Sequence, residues 1–362
     1  MRNSKISIAI LATVLFTASQ MYGGNKDRAG EAGASQLLIN PWTKSVGFGG
    51  ANTASAIGLE AMSLNIAGLA FTNKTELLFT YKNYLSGSDI NINSFGFSQR
   101  ISETGVIGVG VMSMNFGDIE VTTVDNPEGG IGTFSPSYLN LDFGYAQSFS
   151  NSISGGLSVK VISESISNVS NRGFAFDAGI RYKTGENDRM KFGIALKNVG
   201  PTMRASGDGL SFTAEDNSSG SVISVSKNHR VADFQLPSLL NIGLSYDFYI
   251  APSVDSVSKE ISSMHRVTVA GNFTANSFTN DQYKLGLEYA FREMFMVRAG
   301  YTLEQDTWFD SEKRINAFTG PAFGASIVAP LGKGGSTFSF DYAYQTTENF
   351  DGTHSIGVRL NM

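Results

Sequence analysis

From residue 73 onward the chain alternates apolar with polar or small residues, in stretches bounded by Gly, Asn, Asp or Ser. A period of two marks strands with two unlike faces. In Tyr283-Lys284-Leu285-Gly286-Leu287-Glu288-Tyr289-Ala290-Phe291-Arg292, one face carries Tyr, Leu, Leu, Tyr and Phe, and the other Lys, Gly, Glu, Ala and Arg. Leu139, Leu141, Phe143, Tyr145 and Phe149 stand in the same way against Asn140, Asp142, Gly144, Ala146 and Ser148. Phe338, Phe340, Tyr342 and Tyr344 repeat the pattern against Ser339, Asp341 and Ala343. It predicts fourteen strands, at 74–84, 90–101, 105–118, 136–149, 152–166, 173–183, 190–199, 236–249, 264–275, 281–292, 294–304, 315–328, 335–346 and 353–362.

The connections alternate in length, which selects among all-β folds. Glu103-Thr104, Ser150-Asn151 and Glu293 are tight turns, whereas 119–135, 200–235 and 305–314 are long and polar. Short periplasmic turns and long extracellular loops, with an even strand count and both barrel ends on the periplasmic side, define an outer-membrane barrel. One connection, 250–263, is long where a turn is expected. Sandwich strands average about 5 to 6 residues, while a tilted membrane strand needs about 9 to 11, the length seen here. Aromatics gather near strand ends, at Tyr81, Tyr84, Phe149, Tyr182, Tyr246, Phe248, Tyr289, Phe291, Tyr344 and Phe350, as interfacial girdles require. The C-terminal Ser355 to Met362 alternates after Gly357 and is similar to the terminal strand signal of assembled barrels.

Composition narrows the classes further. The 362 residues include 40 Gly, 26 Phe, 13 Tyr and no Cys, with only 16% charged, against about 25% charged in soluble domains. Absence of cysteine excludes disulfides, thiolate metal sites and a lipidated N-terminal cysteine. A net charge of −5 without a basic cluster argues against nucleic acid as a partner. Arg2 and Lys5 precede an apolar run from Ile6 to Phe16 and small residues to Ser19, which predicts a signal peptide over 1–19. The mature chain then divides into an N-terminal periplasmic or hatch segment, 20–72, and a barrel, 73–362. The first is rich in small residues without periodicity, and no Lys-Ser/Thr pair follows its glycines, so it fits a confined lumen better than a phosphate cradle. Gly49, Gly50, Asn65 and Gly68 are its candidate hatch residues.

If the apolar faces meet lipid, the opposite faces point into the lumen. They carry Lys82, Asp142, Lys160, Asp177, Arg181, Lys191, Lys197, Asp247, Lys284, Glu288, Arg292, Arg298, Asp341 and Arg359. A mid-membrane Arg or Lys on the lipid face costs about 2 to 4 kcal/mol, which forces the inward assignment. Of these, Asp142, Asp177, Arg181, Lys284, Glu288, Arg298, Asp341 and Arg359 are the candidate lumenal charges, read as a paired, hydrated lining or as a filter for a charged solute. His229, His265 and His354 share no spacing with a serine or a carboxylate pair, so no catalytic triad, cofactor or metal site is expected.

Several segments resemble the PorV/PorQ family of Bacteroidota outer-membrane proteins, relatives of the FadL-type fourteen-strand barrels. They are Gly33-Ala34-Ser35-Gln36-Leu37, Val46-Gly47-Phe48-Gly49-Gly50-Ala51, Asn65-Ile66-Ala67-Gly68-Leu69-Ala70, Lys197-Asn198-Val199-Gly200-Pro201-Thr202-Met203 with Leu236-Pro237, and Leu285-Gly286-Leu287-Glu288-Tyr289 running into Val297-Arg298-Ala299-Gly300-Tyr301. Where the family usually has Asn-Pro-Ala-Gly, this chain has Asn65-Ile66-Ala67-Gly68. The resemblance implies a FadL-like barrel with an N-terminal plug, in the outer membrane of a Gram-negative bacterium. It also implies a non-enzymatic role in type IX secretion, with cargo bearing a C-terminal signal domain or translocon components as partners. FadL-type relatives imply the alternative, passage of hydrophobic small molecules.

Overall fold

A computed structural model of the chain describes residues 24, 26–216, 222–254, 261–305, 307, 314, 316–332 and 335–362. The signal peptide expected over 1–19 and part of the loop 305–314 lie outside them. Fourteen long strands form one sheet: β1 Thr75–Tyr84, β2 Ile90–Arg100, β3 Gly105–Asn115, β4 Ser137–Ser148, β5 Ile153–Ile166, β6 Val169–Thr184, β7 Met190–Val199, β8 Leu239–Val254, β9 Ile261–Asn276, β10 Gln282–Phe291, β11 Phe295–Glu304, β12 Gly320–Leu331, β13 Ser336–Gln345 and β14 Thr353–Asn361. Each pairs antiparallel with its neighbours in sequence, and β14 returns to β1, with Leu78 opposite Arg359 and Phe79 opposite Val358. The sheet is therefore a closed barrel with no free edge, as a spanning sheet requires.

The alternation resolves into an outside and an inside. Leu157, Phe174, Ile180, Leu287, Phe323 and Phe340 are exposed around the exterior, while Ala146, Ala175, Ala195, Ala290 and Ala343 are buried on the opposite faces. An apolar exterior around a polar interior is the pattern of a barrel solvated by lipid. Below, the end with the long connections is the loop end, and the other is the turn end.

The structure departs from three sequence expectations. Tyr84 joins no girdle: it points inward, its ring 5.5 Å from that of Phe318, because it shares the even-numbered lumenal face with Leu78, Thr80 and Lys82. Arg292 lies beyond the end of β10, exposed, at φ 53° in the turn to β11, where the strand alternation no longer applies. The long connection 250–263 is largely a hairpin: β8 and β9 extend to Val254 and Ile261, while pairing to the flanking strands stops at Tyr246–Met190 and His265–Phe291.

Candidate functional site: the lumen

The N-terminal segment lies inside the barrel rather than below it. Residues 28–33 sit at the loop end, where Arg28 donates to Gln235 Oε1 at 3.0 Å and stacks 4.2 Å over the Phe278 ring, and Gly33 N–H bonds Gln235 O. The chain then descends through the short helical turns Ser35–Leu38, Thr43–Gly47, Leu59–Met62 and Ile66–Phe71 and leaves at the turn end. There the Arg100 guanidinium collects the carbonyls of Ala70, Thr72 and Asn73 at 2.5 to 3.1 Å. One limb is apolar: Trp42, Leu59, Met62, Ile66 and Leu69 pack on Leu78, Val106 and Ala146. The other, 43–56, is built of small residues, and it meets β8 to β14.

Inward glycines explain how a folded segment fits. On β11, a Cβ at Gly300 would stand 2.4 Å from Gly49 N and from Phe48 C. Directly opposite on β10, Gly286 faces the ring and carbonyl of Phe48. Only a wall without side chains lets two backbones approach this closely. Gly144 on β4 and Gly357 on β14 likewise face Ile66 and Thr43.

The candidate hatch residues have distinct positions. Gly49 and Gly50, at φ 65° and 69°, turn the chain in a left-handed conformation that other residues adopt at a cost. Asn65 is buried; its Oδ1 accepts from Ala67 N at 3.1 Å, capping the Ile66–Phe71 turn, and its Nδ2 donates to Ile180 O at 3.0 Å. Gly68 has no space for a side chain, with Ala56 O 2.2 Å from its Cβ direction.

All eight candidate charges face the lumen, and seven of them have charged or polar partners. A continuous belt crosses β7 to β1. Lys191 pairs with Asp247, which accepts from Thr268 at 2.6 Å. Arg266 bridges Glu288 at 2.9 Å and Glu293 at 2.6 Å. Glu288 also pairs with Arg298, whose Nη1 donates to Ser326 at 2.6 Å, and Ser326 donates to Asp341. Asp341 lies 3.9 Å from Arg359, which pairs with Glu60 of the plug at 2.8 Å and Glu76 of β1 at 3.4 Å. A second group sits at a bulge, where β6 and β7 slip register between Phe176 and Ala178. There Lys160 pairs with Asp177 at 2.6 Å, Asp177 accepts from Asn198 N at 2.8 Å, and Asn198 stands at φ 57°. The extra residue turns both Lys197 and Asn198 inward. Asp142, beside Lys160, lines a cavity of about 40 Å³ with Trp42, Asn140 and Lys197; Asp142 Oδ1, Asn140 Oδ1 and Trp42 Nε1 have no protein partner there, and the space accepts water. Arg181 donates to Ala56 O at 3.4 Å and lies 4.4 Å over the Phe71 ring. Glu76 and Arg266, absent from the sequence reading, sit on the even-numbered inward faces that flagged Lys82 and Glu288, so parity carried their signal. Glu60, in an aperiodic segment, had none.

Lys284 is different. With Lys82 it lines a cavity of about 480 Å³ at the loop end, whose floor is Val46, Gly49 and Gly50 and whose walls include Leu38, Ile39, Tyr84, Ile90, Met114, Phe116 and Phe318. Lys82 donates to Asn40 O. Among the described residues, no carboxylate lines this cavity.

No family model and no curated protein matches the chain. Solved structures do. CymD, a monoaromatic hydrocarbon channel, matches at 14% identity and a TM-score of 0.52, over 89% of this chain and 97% of its own. TodX, the Pseudomonas putida toluene transporter, matches at 13% identity and a TM-score of 0.53, over 89% and 97%. At such identity the likeness speaks for the fold: a FadL-like, fourteen-strand transmembrane barrel.

Proposed function

We propose that this FadL-like barrel admits a hydrophobic small molecule carrying an acidic group across the outer membrane, without catalysing a reaction. The loop-end cavity carries this reading: its volume falls within the roughly 300 to 1,000 Å³ of ligand pockets, which are apolar with a few placed polar groups. Its charged lining, Lys82 and Lys284, is purely cationic among the described residues. An apolar body seats against Tyr84, Ile90, Phe116 and Phe318, and the acidic group against an ammonium. The structural neighbours support passage of small hydrophobic compounds, since they are a hydrocarbon channel and a toluene transporter. The plug is the barrier, and Gly49-Gly50 forms the floor that must yield.

The type IX secretion reading, with cargo held by loops 119–135, 200–235 and 305–314, has motif resemblance behind it. Those motifs have packing duties here: Gly47 and Gly49 meet Gly324 and Gly300, Asn65 caps the plug, and Lys197-Asn198 forms the bulge. A channel needs the same packing, so transport is the better supported reading.

Proteoliposomes test it. A phenylalkanoic acid is expected to cross faster than its methyl ester by about tenfold, since a hydrogen bond to a charged group contributes about 1.5 to 3 kcal/mol. Lys82→Met with Lys284→Met removes the preference. If neither compound crosses faster than in empty liposomes, the transport reading fails.

A further inference from the structure

We propose that the plug is laid into the still-open sheet before β1 and β14 pair, and that Arg359 is the latch coupling closure of this seam to a seated plug. Topology gives the first half. The chain runs through the lumen from residues 28–33 at the loop end to Thr72 at the turn end, then turns directly into β1. Reaching this arrangement in a closed barrel means threading residues 28–71 through a waist they fill, and folds avoid threading. Ala51, Ala54, Leu59, Ala61, Ala67 and Leu69 are completely buried, and at Gly300 and Gly324 the wall meets plug backbone with no space for a methyl group. In an open sheet, the segment instead lies across the concave face and the two terminal strands meet around it.

The seam supplies the second half. Arg359 stands on the last strand, Glu76 on the first and Glu60 in the plug, the two carboxylates 3% and 2% exposed. Glu76 also accepts from the Leu59 N–H of the plug at 2.9 Å. With the plug absent, closure leaves Arg359 without Glu60 and Glu76 without this amide. With the plug seated and the seam open, both carboxylates lack the Arg359 guanidinium. Buried charges are tolerated when paired, so the cluster is complete only when plug, β1 and β14 are all in place.

The native chain has no cysteine, which allows the order to be read directly. Thr43→Cys with Gly357→Cys reports plug against β14, since the two Cβ positions lie 3.1 Å apart. Thr80→Cys with Gly357→Cys reports the seam, where these residues are paired. Cells are pulse-labelled, oxidised at intervals, and resolved into heat-modifiable (closed) and unclosed chains. The expected result is a plug disulfide in unclosed chains and a seam disulfide confined to closed ones. A plug disulfide found only in closed chains overturns the order, as does its failure to form in the mature barrel. Arg359→Met is expected to slow closure at least about tenfold, the part of the more than hundredfold equilibrium penalty for a broken buried pair that is felt as the seam forms, without slowing the plug disulfide; closure at the native rate removes Arg359 from the role of latch.

Discussion

A single methyl group on β11 should loosen the plug without touching the outside of the barrel. In Gly300→Ala the new Cβ meets Gly49 N and Phe48 C at 2.4 Å and Phe48 O at 2.5 Å. All three are backbone atoms, so no side chain can rotate away, and either the Phe48-Gly49 turn lifts or the strand bows. Overpacking of this kind costs about 1 to 3 kcal/mol, which multiplies the displaced population of the turn by about 5 to 150. Displacement also uncovers Phe48, now 3% exposed in contact with Ala51 and Ala270, so this range is the cost before any repacking. The control is Gly271→Ala, a lipid-facing position on β9 two strands away, where the nearest atoms are an ordinary 3.7 and 3.9 Å away. Planar-bilayer conductance of the purified proteins, together with sensitivity of cells to a large antibiotic excluded by the closed barrel, reads the outcome. Gly300→Ala should open more often and admit the antibiotic, with unchanged heat-modifiable barrel in the membrane, and Gly271→Ala should match the native protein. Equal behaviour of the two variants, or a fully closed Gly300→Ala barrel present at native level, would refute the assignment of the Gly49 turn as the barrier.

Three other outcomes follow from the same geometry. Leu287→Arg places a cation on the lipid face at about 2 to 4 kcal/mol and should sharply lower outer-membrane levels, whereas Ala290→Ser, facing the lumen, should leave them unchanged by quantitative blotting. Lys160→Met strands Asp177 and Asn198 without their ammonium, a loss of about 3 to 5 kcal/mol for a broken buried pair; urea unfolding should show it, with Lys160→Met/Asp177→Asn recovering most of the difference. Asn198→Ala combines a left-handed backbone at φ 57° with loss of its bonds to Lys160 and Pro237, and thermal melting should rank it below Asn198→Gly, which relieves only the backbone term.

The resemblance of residues 33–301 to secretion-associated barrels reads differently once the residues are placed. Asn65 and Asn198 are positioned by bonds to Ile180 O and to Pro237 O, which tie plug and loop to the wall. Such residues mark how the N-terminal segment and the loop sit on the wall, not what the barrel carries. The cationic cavity, by contrast, depends on Lys82 and Lys284 reaching one space from β1 and β10, five strands apart around the wall, and no linear motif encodes that meeting.

The strands, their number and the sorting of each into lipid and lumen faces were determined by the sequence alone, because side-chain direction in a strand repeats every two residues and lipid penalises every charge on the wrong face. Where that local period ends the alternation no longer informs, at Arg292 in its turn and at the 250–263 hairpin. What tertiary structure decided is what meets across the lumen. The partners Glu288–Arg298 and Arg359–Glu60 depend on strand register and on a segment with no period of its own. That segment takes its shape from the glycine-lined wall it fills, so its path, its seat and its ion pairs are set by the folded wall and not by any period of its own.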